Sequence, residues 1–202
     1  MASVYALTRD DLKARLAYST VSQLSYIILG AALLSPLAIV GGVTHIAAHA
    51  LSKITLFFCA GSIYCASRRK NISDMAGIGR RLPWTMAAFF IGSLGMIGVP
   101  PSGGFISKWY LVQAALGQGW WPVLVVVIVG SLLAVVYVWR VVEMAYLRRP
   151  IDSDASAVRE APLSLLLPTW FLIGANLYFG IDTRLSVGIA GKAAAVLMGQ
   201  SQ

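Results

Sequence analysis

The sequence predicts an all-α protein of the membrane, a polytopic bundle of about five transmembrane helices with the third one broken. Three observations lead there. Hydrophobic residues make up 58% of the chain and charged residues only 12%, about half the charge of a soluble domain. The mean hydropathy is +0.75, more apolar surface than a water-soluble core can hold. The apolar residues also gather in long blocks separated by short clusters of Arg, Lys, Asp, Gly and Pro, the pattern of helices spanning a ~30 Å hydrocarbon layer. Backbone N–H and C=O groups in lipid need internal partners, so these blocks should be helical.

A single membrane domain is expected over 1–181, with a tail at 182–202. The first helix should cover about 16–34, after a charged lead-in whose Asp10 and Asp11 suit a helix N-terminus, and Ser35 and Pro36 should end it. The second block, 37–66, closes on Arg68, Arg69 and Lys70. It exceeds the ~20 residues of a span, so it should tilt, bend or project beyond the lipid. The third, 83–116, starts on Pro83 and is interrupted at 100–104 by Pro100, Pro101, Ser102, Gly103 and Gly104. That run cannot continue a regular helix. Helices at 121–147 and 163–181 follow, joined by a polar loop over 148–162. The tail, with Arg184 and Lys192 among small residues, reads as an interfacial or loosely ordered end.

Charge placement decides whether 83–116 crosses once or twice. One crossing gathers Arg9, Lys13 and Arg15, then Arg68 to Lys70 with Arg80 and Arg81, then Arg148, Arg149 and Arg159 on one face, while the opposite connections at 35–36 and 117–120 carry no charge. A bilayer protein keeps such an excess on its cytoplasmic side. The expectation is therefore five crossings in a cell (inner) membrane, N-terminus cytoplasmic and C-terminus outside. The halves of the third helix must overlap or slant around the break. Residues 1–15 are too charged for a secretory signal peptide.

The net charge of +8 does not make nucleic acid the expected partner, because 12 of the 16 basic residues lie at or near those three charged segments and no basic stripe alternates with stacking aromatics. Cys59 and Cys65 share one apolar block at a spacing that suits neither redox nor metal chemistry. Arg140 and Glu143 read as an exposed ion pair, and Trp84, Trp120, Trp121 and Tyr146 as interface anchors. No Gly-rich phosphate loop, metal-ligand cluster or Ser/His/Asp arrangement is visible, so no metal, cofactor or catalytic group is expected.

The chemistry concentrates on four residues. His45, His49 and Lys53 fall at i, i+4 and i+8, along one helix face about 6 Å apart in rise. Lys53 lies near mid-block, too deep for a lysine stem to reach either surface. Thr44, Ser52 and Thr55 add hydroxyls beside them. Lys108 follows the break formed by Pro100, Pro101, Gly103 and Gly104 by less than two turns, and a broken helix at membrane depth frees backbone groups that line ion sites in many transporters. The plainer account makes the histidines hydrogen-bonded core residues and the lysines structural links.

The stretches Asp11-Leu-Lys-Ala-Arg-Leu-Ala-Tyr-Ser-Thr-Val-Ser-Gln-Leu, Thr44-His-Ile-Ala-Ala-His-Ala-Leu-Ser-Lys53 and Gly98-Val-Pro-Pro-Ser-Gly-Gly-Phe-Ile-Ser-Lys108 resemble the antiporter-like subunits of respiratory complex I, of membrane-bound hydrogenases and of multisubunit Mrp-type Na⁺/H⁺ antiporters, the Mrp type above all. The resemblance covers most of 10–115. It implies a fold of about fourteen helices built from two inverted five-helix repeats, of which this chain resembles the C-terminal part only. It also implies a polar axis at the membrane midplane, with His45, His49 and Lys53 as a central relay and Lys108 as the terminal lysine. The family's first repeat, with its Glu and Lys pair, has no counterpart here.

The reading that follows is a proton-translocating subunit of a cation/proton antiporter or complex I-like pump. Burial opposes a lysine's charge and nearby carbonyls favour it, so a lysine between these effects can gain and lose a proton. The expected partners are the lipid bilayer, other membrane subunits of a hetero-oligomeric complex, protons and, in an antiporter, Na⁺. Any NADH:quinone oxidoreductase or hydrogenase-type redox chemistry would belong to other chains. The alternative is a non-transporting assembly or scaffold subunit.

Overall fold

The computed structural model describes residues 1–149 and 158–199. Residues 150–157 of the expected loop and 200–202 of the expected tail lie outside the described residues. The described chain folds as eight α-helices with no strand: α1 (Ala2–Thr8), α2 (Leu12–Ala32), α3 (Pro36–Ser67), α4 (Pro83–Ile97), α5 (Gly103–Gly117), α6 (Trp121–Leu147), α7 (Leu163–Ile181) and α8 (Arg184–Leu197). Three of these, α3, α6 and α7, are long and apolar enough to cross a membrane.

Local sequence sets the ends. The Asp11 carboxylate caps α2 by accepting from the Ala14 N–H at 2.7 Å, and the Ser35 hydroxyl caps α3 from the Ala38 N–H at 3.2 Å. Pro36, Pro83 and Pro122 occupy first turns, where their missing N–H is no loss. Helix α4 stops at Gly98, whose φ of +89° suits a residue without Cβ. The second half of the broken helix then starts close against the first, since a Cβ on Gly104 would collide with the carbonyl oxygen of Gly95. The overlap expected of the two halves is realised there.

Helix α3 is the hub and packs against α2, α4, α5, α7 and α8. Its 32 residues extend about 48 Å. Leu56, Cys59 and Ile63 of α3 meet Met86 and Phe89 of α4 and Tyr137 and Val141 of α6 in the main core. Helix α6 turns Val125, Val126, Val129, Leu132 and Val136 outward, an apolar face of the kind lipid or a membrane partner covers.

Cross-links sort the connections into two ends. At one, Leu12 N–H donates to Lys70 O (3.1 Å), Ile72 N–H to Asp10 O (2.8 Å) and Gly77 N–H to Met144 O (3.1 Å), while Trp84 N–H donates to the Glu160 carboxylate (2.9 Å). At the other, Gln118 Nε2 donates to Leu33 O (2.8 Å). Successive long segments therefore run in alternating directions, with α4 and α5 together making one passage.

Two helices lie where no helix was anticipated. Helix α1 docks through buried Ala6 and a Ser3–Ser22 hydroxyl contact of 2.5 Å. Helix α8, within the segment read as a tail, packs Ala190 and Ala194 on Ile39 and Val40 of α3. The anticipated Arg140–Glu143 pair does not form. Glu143 instead accepts from Arg148 at 3.0 Å, because Arg148 lies just past the end of α6, where its side chain folds back on the last turns.

Candidate functional site

The four titratable residues singled out in the sequence all point into the protein: His45 is 2% exposed, His49 8%, Lys53 5% and Lys108 6%. On α3 the four-residue spacing stacks the imidazoles of His45 and His49, with centroids 5.7 Å apart and planes within 10°. Lys53, one turn further, aims its ammonium at α2, donating to Leu16 O at 3.0 Å and to the Ser19 hydroxyl.

Lys108 answers a shortage created by the sequence. In an uninterrupted helix the carbonyls of Met96 and Ile97 would accept from residues 100 and 101, but both are proline and have no N–H to give. Lys108 reaches back from the second turn of α5 and donates to both, at 3.1 Å and 2.6 Å. A third donation goes to the Ser131 hydroxyl of α6 at 3.0 Å, and the ammonium lies 5.3 Å from the centre of the Tyr26 ring. Carbonyls, a hydroxyl and a π-face thus replace water around this cation.

Two contacts join the helices that carry the groups. His45 Nδ1 lies 2.8 Å from Ser107 Oγ, one residue before Lys108, and the Ser107 hydroxyl donates to Gly104 O at 3.0 Å. Which of His45 and Ser107 donates in this contact follows the imidazole tautomer. Tyr26 of α2 stands between His45 and Lys108, edge-on to the imidazole at a centroid distance of 5.4 Å. Among the described residues, four buried polar atoms have no hydrogen-bond partner: Gln23 Oε1, Thr44 Oγ1, His45 Nε2 and His49 Nδ1. Three belong to α3 and one to the facing α2, positions at which water would bond. No group of three His, Cys, Asp or Glu side chains among the described residues could hold a metal ion.

Several residues of the site gave no signal in the sequence. Asn176 of α7, 4% exposed, donates from Nδ2 to Ser52 Oγ at 2.7 Å and accepts the Gly103 N–H at 3.1 Å, tying the neighbour of Lys53 to the first residue of α5. Ser19, Tyr26, Ser107 and Ser131 supply partners from three other helices. Arg15, read from sequence as a surface charge, is 4% exposed and bonds the carbonyls of Arg9 (2.6 Å and 2.9 Å) and Tyr137 (3.1 Å). It fastens the lead-in to α6.

Residues 1–134 match the family model described as NADH:quinone oxidoreductase/Mrp antiporter, transmembrane, a stretch that holds all four titratable residues and the break. The chain belongs to this family. NADH-quinone oxidoreductase subunit N of Desulforudis audaxviator is 43% identical over 177 residues, covering 82% of this chain and 35% of that protein. Among solved structures, the Mrp complex from Dietzia sp. superposes with a TM-score of 0.89 at 24% identity, covering 99% of this chain and 45% of that one. Respiratory complex I from Thermus thermophilus superposes with a TM-score of 0.80 at 20% identity, covering 98% and 42%. Both likenesses are of fold. The chain thus spans about a third of the length of the NADH-quinone oxidoreductase relative, and it has the architecture of the antiporter-like membrane subunits found in these multi-subunit assemblies.

Proposed function

We propose that this chain is the proton-relaying part of a membrane subunit in a cation/proton antiporter or complex I-like pump, with His45, His49, Lys53 and Lys108 as the groups that take up and pass protons through bridging water. The observation that carries the reading is the seat of Lys108: the carbonyls its ammonium binds are those of Met96 and Ile97, which Pro100 and Pro101 leave without donors. A break that merely bends a helix has no need of a buried lysine to close it. Around this seat the bonding partners are neutral oxygens, and Asp and Glu are absent from them. The charge on either lysine is then free to respond to a proton arriving nearby, without a fixed carboxylate to hold it. The open His45 Nε2 and His49 Nδ1 give α3 sites at which water can hand a proton along the face.

Proton transfer, Na⁺ exchange, the inner-membrane location and the cytoplasmic N-terminus all belong to this proposal, as does the need for partner subunits. The test is proton uptake by proteoliposomes that contain the assembled complex. Lys108→Met keeps the length of the side chain and removes its exchangeable proton, so uptake should fall to background with assembly intact. Lys108→Glu, still titratable, should retain part of it. Full transport by Lys108→Met would make the lysine structural and favour the scaffold reading.

A further inference from the structure

We propose that a basic pocket at the far end of α3, outside the titratable cluster, binds the phosphate of an anionic phospholipid headgroup. Three cations converge there on one aromatic ring: Lys13 Nζ lies 5.3 Å from the centre of Tyr64, Lys70 Nζ 5.5 Å and the Arg68 guanidinium 5.7 Å. Among the described residues none of these three cations makes an ion pair. Of these, Lys13 and Lys70 line one cavity together with Tyr64 and Arg69, and Arg68 stands beside it through its contact with Tyr64. The one carboxylate on its wall, Asp11, has an oxygen committed to the N-cap of α2.

Backbone hydrogen bonds, and not mutual attraction, hold these like charges together. Leu12 N–H to Lys70 O and Ile72 N–H to Asp10 O pin the start of α2 against the segment after α3, and both oxygens of the Asp10 carboxylate bind Ser73. Lys13 and Lys70 are therefore held near Tyr64 whatever their repulsion. An arrangement that concentrates positive charge at a set place favours an anion there.

The lining of the pocket and its level along α3 point to the kind of anion. Its cavity of about 290 Å³ is lined by buried Leu12, Ala60 and Met75 as well as by the basic side chains, so it suits a phosphate attached to an apolar stem. Tyr64 is eleven residues beyond Lys53, or about 16 Å along the helix axis. With Lys53 near mid-depth, that is roughly half of the ~30 Å hydrocarbon thickness, the level at which lipid phosphates lie. Basic pockets between helices at this level are the general form of anionic headgroup sites.

The experiment uses the assembled complex in nanodiscs carrying a phosphatidylglycerol with a photoreactive headgroup. Crosslinks should map to residues 11–13 and 60–70, and should be roughly tenfold weaker in Lys13→Gln/Lys70→Gln, while Lys192→Gln on α8 leaves them unchanged. An equally photoreactive phosphatidylcholine should crosslink weakly. Equal labelling by the two lipids, or labelling insensitive to the double substitution, would overturn the site. Loss of labelling under excess inorganic phosphate would reassign it to a free anion, and capture of a partner's acidic segment in place of lipid would reassign it to a protein contact. Both overturn the lipid assignment. If the double variant fails to assemble, the wild-type crosslink map decides alone, and labels confined to other helices reject the proposal.

Discussion

Charged residues inside an apolar run are conspicuous, which is why His45, His49, Lys53 and Lys108 were legible in the sequence. Their partners were not. Ser19, Ser107, Ser131 and Asn176 are ordinary in membrane helices, and the bonds they make span 34, 62, 23 and 124 positions, distances over which periodicity says nothing. Asn176 has the largest structural consequence of the four, since its two bonds serve two different helices. Asn176→Ala would remove the partner of the buried Gly103 N–H and of the buried Ser52 hydroxyl, and each such group left unpaired costs about 1–3 kcal/mol. The expected outcome is a clear drop in the thermal midpoint of the detergent-solubilised complex. A double cycle with Ser52→Ala should show the two losses to be non-additive by about 1 kcal/mol. Strict additivity would mean that the bond contributes little.

Among the helices, the break was readable because Pro100, Pro101, Gly103 and Gly104 leave a helix no continuous path. That Lys108 would lie beside freed backbone groups was readable too, but which groups it binds was not. The sequence shows that two carbonyls lose their donors, but only the packing of α5 against α4 shows that Lys108 takes them over. Helices α1 and α8 escaped for different reasons: the seven residues of α1 are too few to show a period, and Gly188 and Gly191 interrupt the helix-forming residues of α8. The role of the break can be tested by repairing it. Gly98→Ala with Pro100→Ala and Pro101→Ala restores helix-compatible residues and two N–H donors, which should compete with the lysine for Met96 O and Ile97 O. Transport by the assembled complex should fall at least tenfold, an increase of about 1.4 kcal/mol in barrier, with the complex still formed. A narrower test is Gly104→Ala, whose methyl meets the Gly95 carbonyl. It should destabilise by about 1–3 kcal/mol, the usual range for overpacking, measured as a lower thermal midpoint. Unchanged stability would show that the two halves can separate without loss.

Across the whole molecule, the distribution of charge and the cross-links between segments point to one arrangement in the bilayer. The positive residues around Arg9, Arg69 and Arg148 were gathered on one face by a counting argument, and the hydrogen bonds reach the same grouping independently. Asp10 and Leu12 are bonded to Ile72 and Lys70, Gly77 to Met144, and Trp84 to Glu160, so the lead-in, the segment after α3 and the end of α6 share an end. Leu33 and Gln118 are bonded at the uncharged one. These bonds fix which connections lie together; the proposed direction, with this end cytoplasmic, rests on the excess of Lys and Arg that membrane proteins keep on that side. Single cysteines at residues 69 and 149, in a background lacking Cys59 and Cys65, should react with a membrane-impermeant maleimide only after cells are opened, while one at residue 118 should react from outside intact cells. The reverse pattern would keep the grouping and invert the protein, which would send any relayed proton the other way. Labelling of 69 and 149 from opposite sides would contradict the hydrogen-bonded grouping itself, and with it the single passage made by α4 and α5.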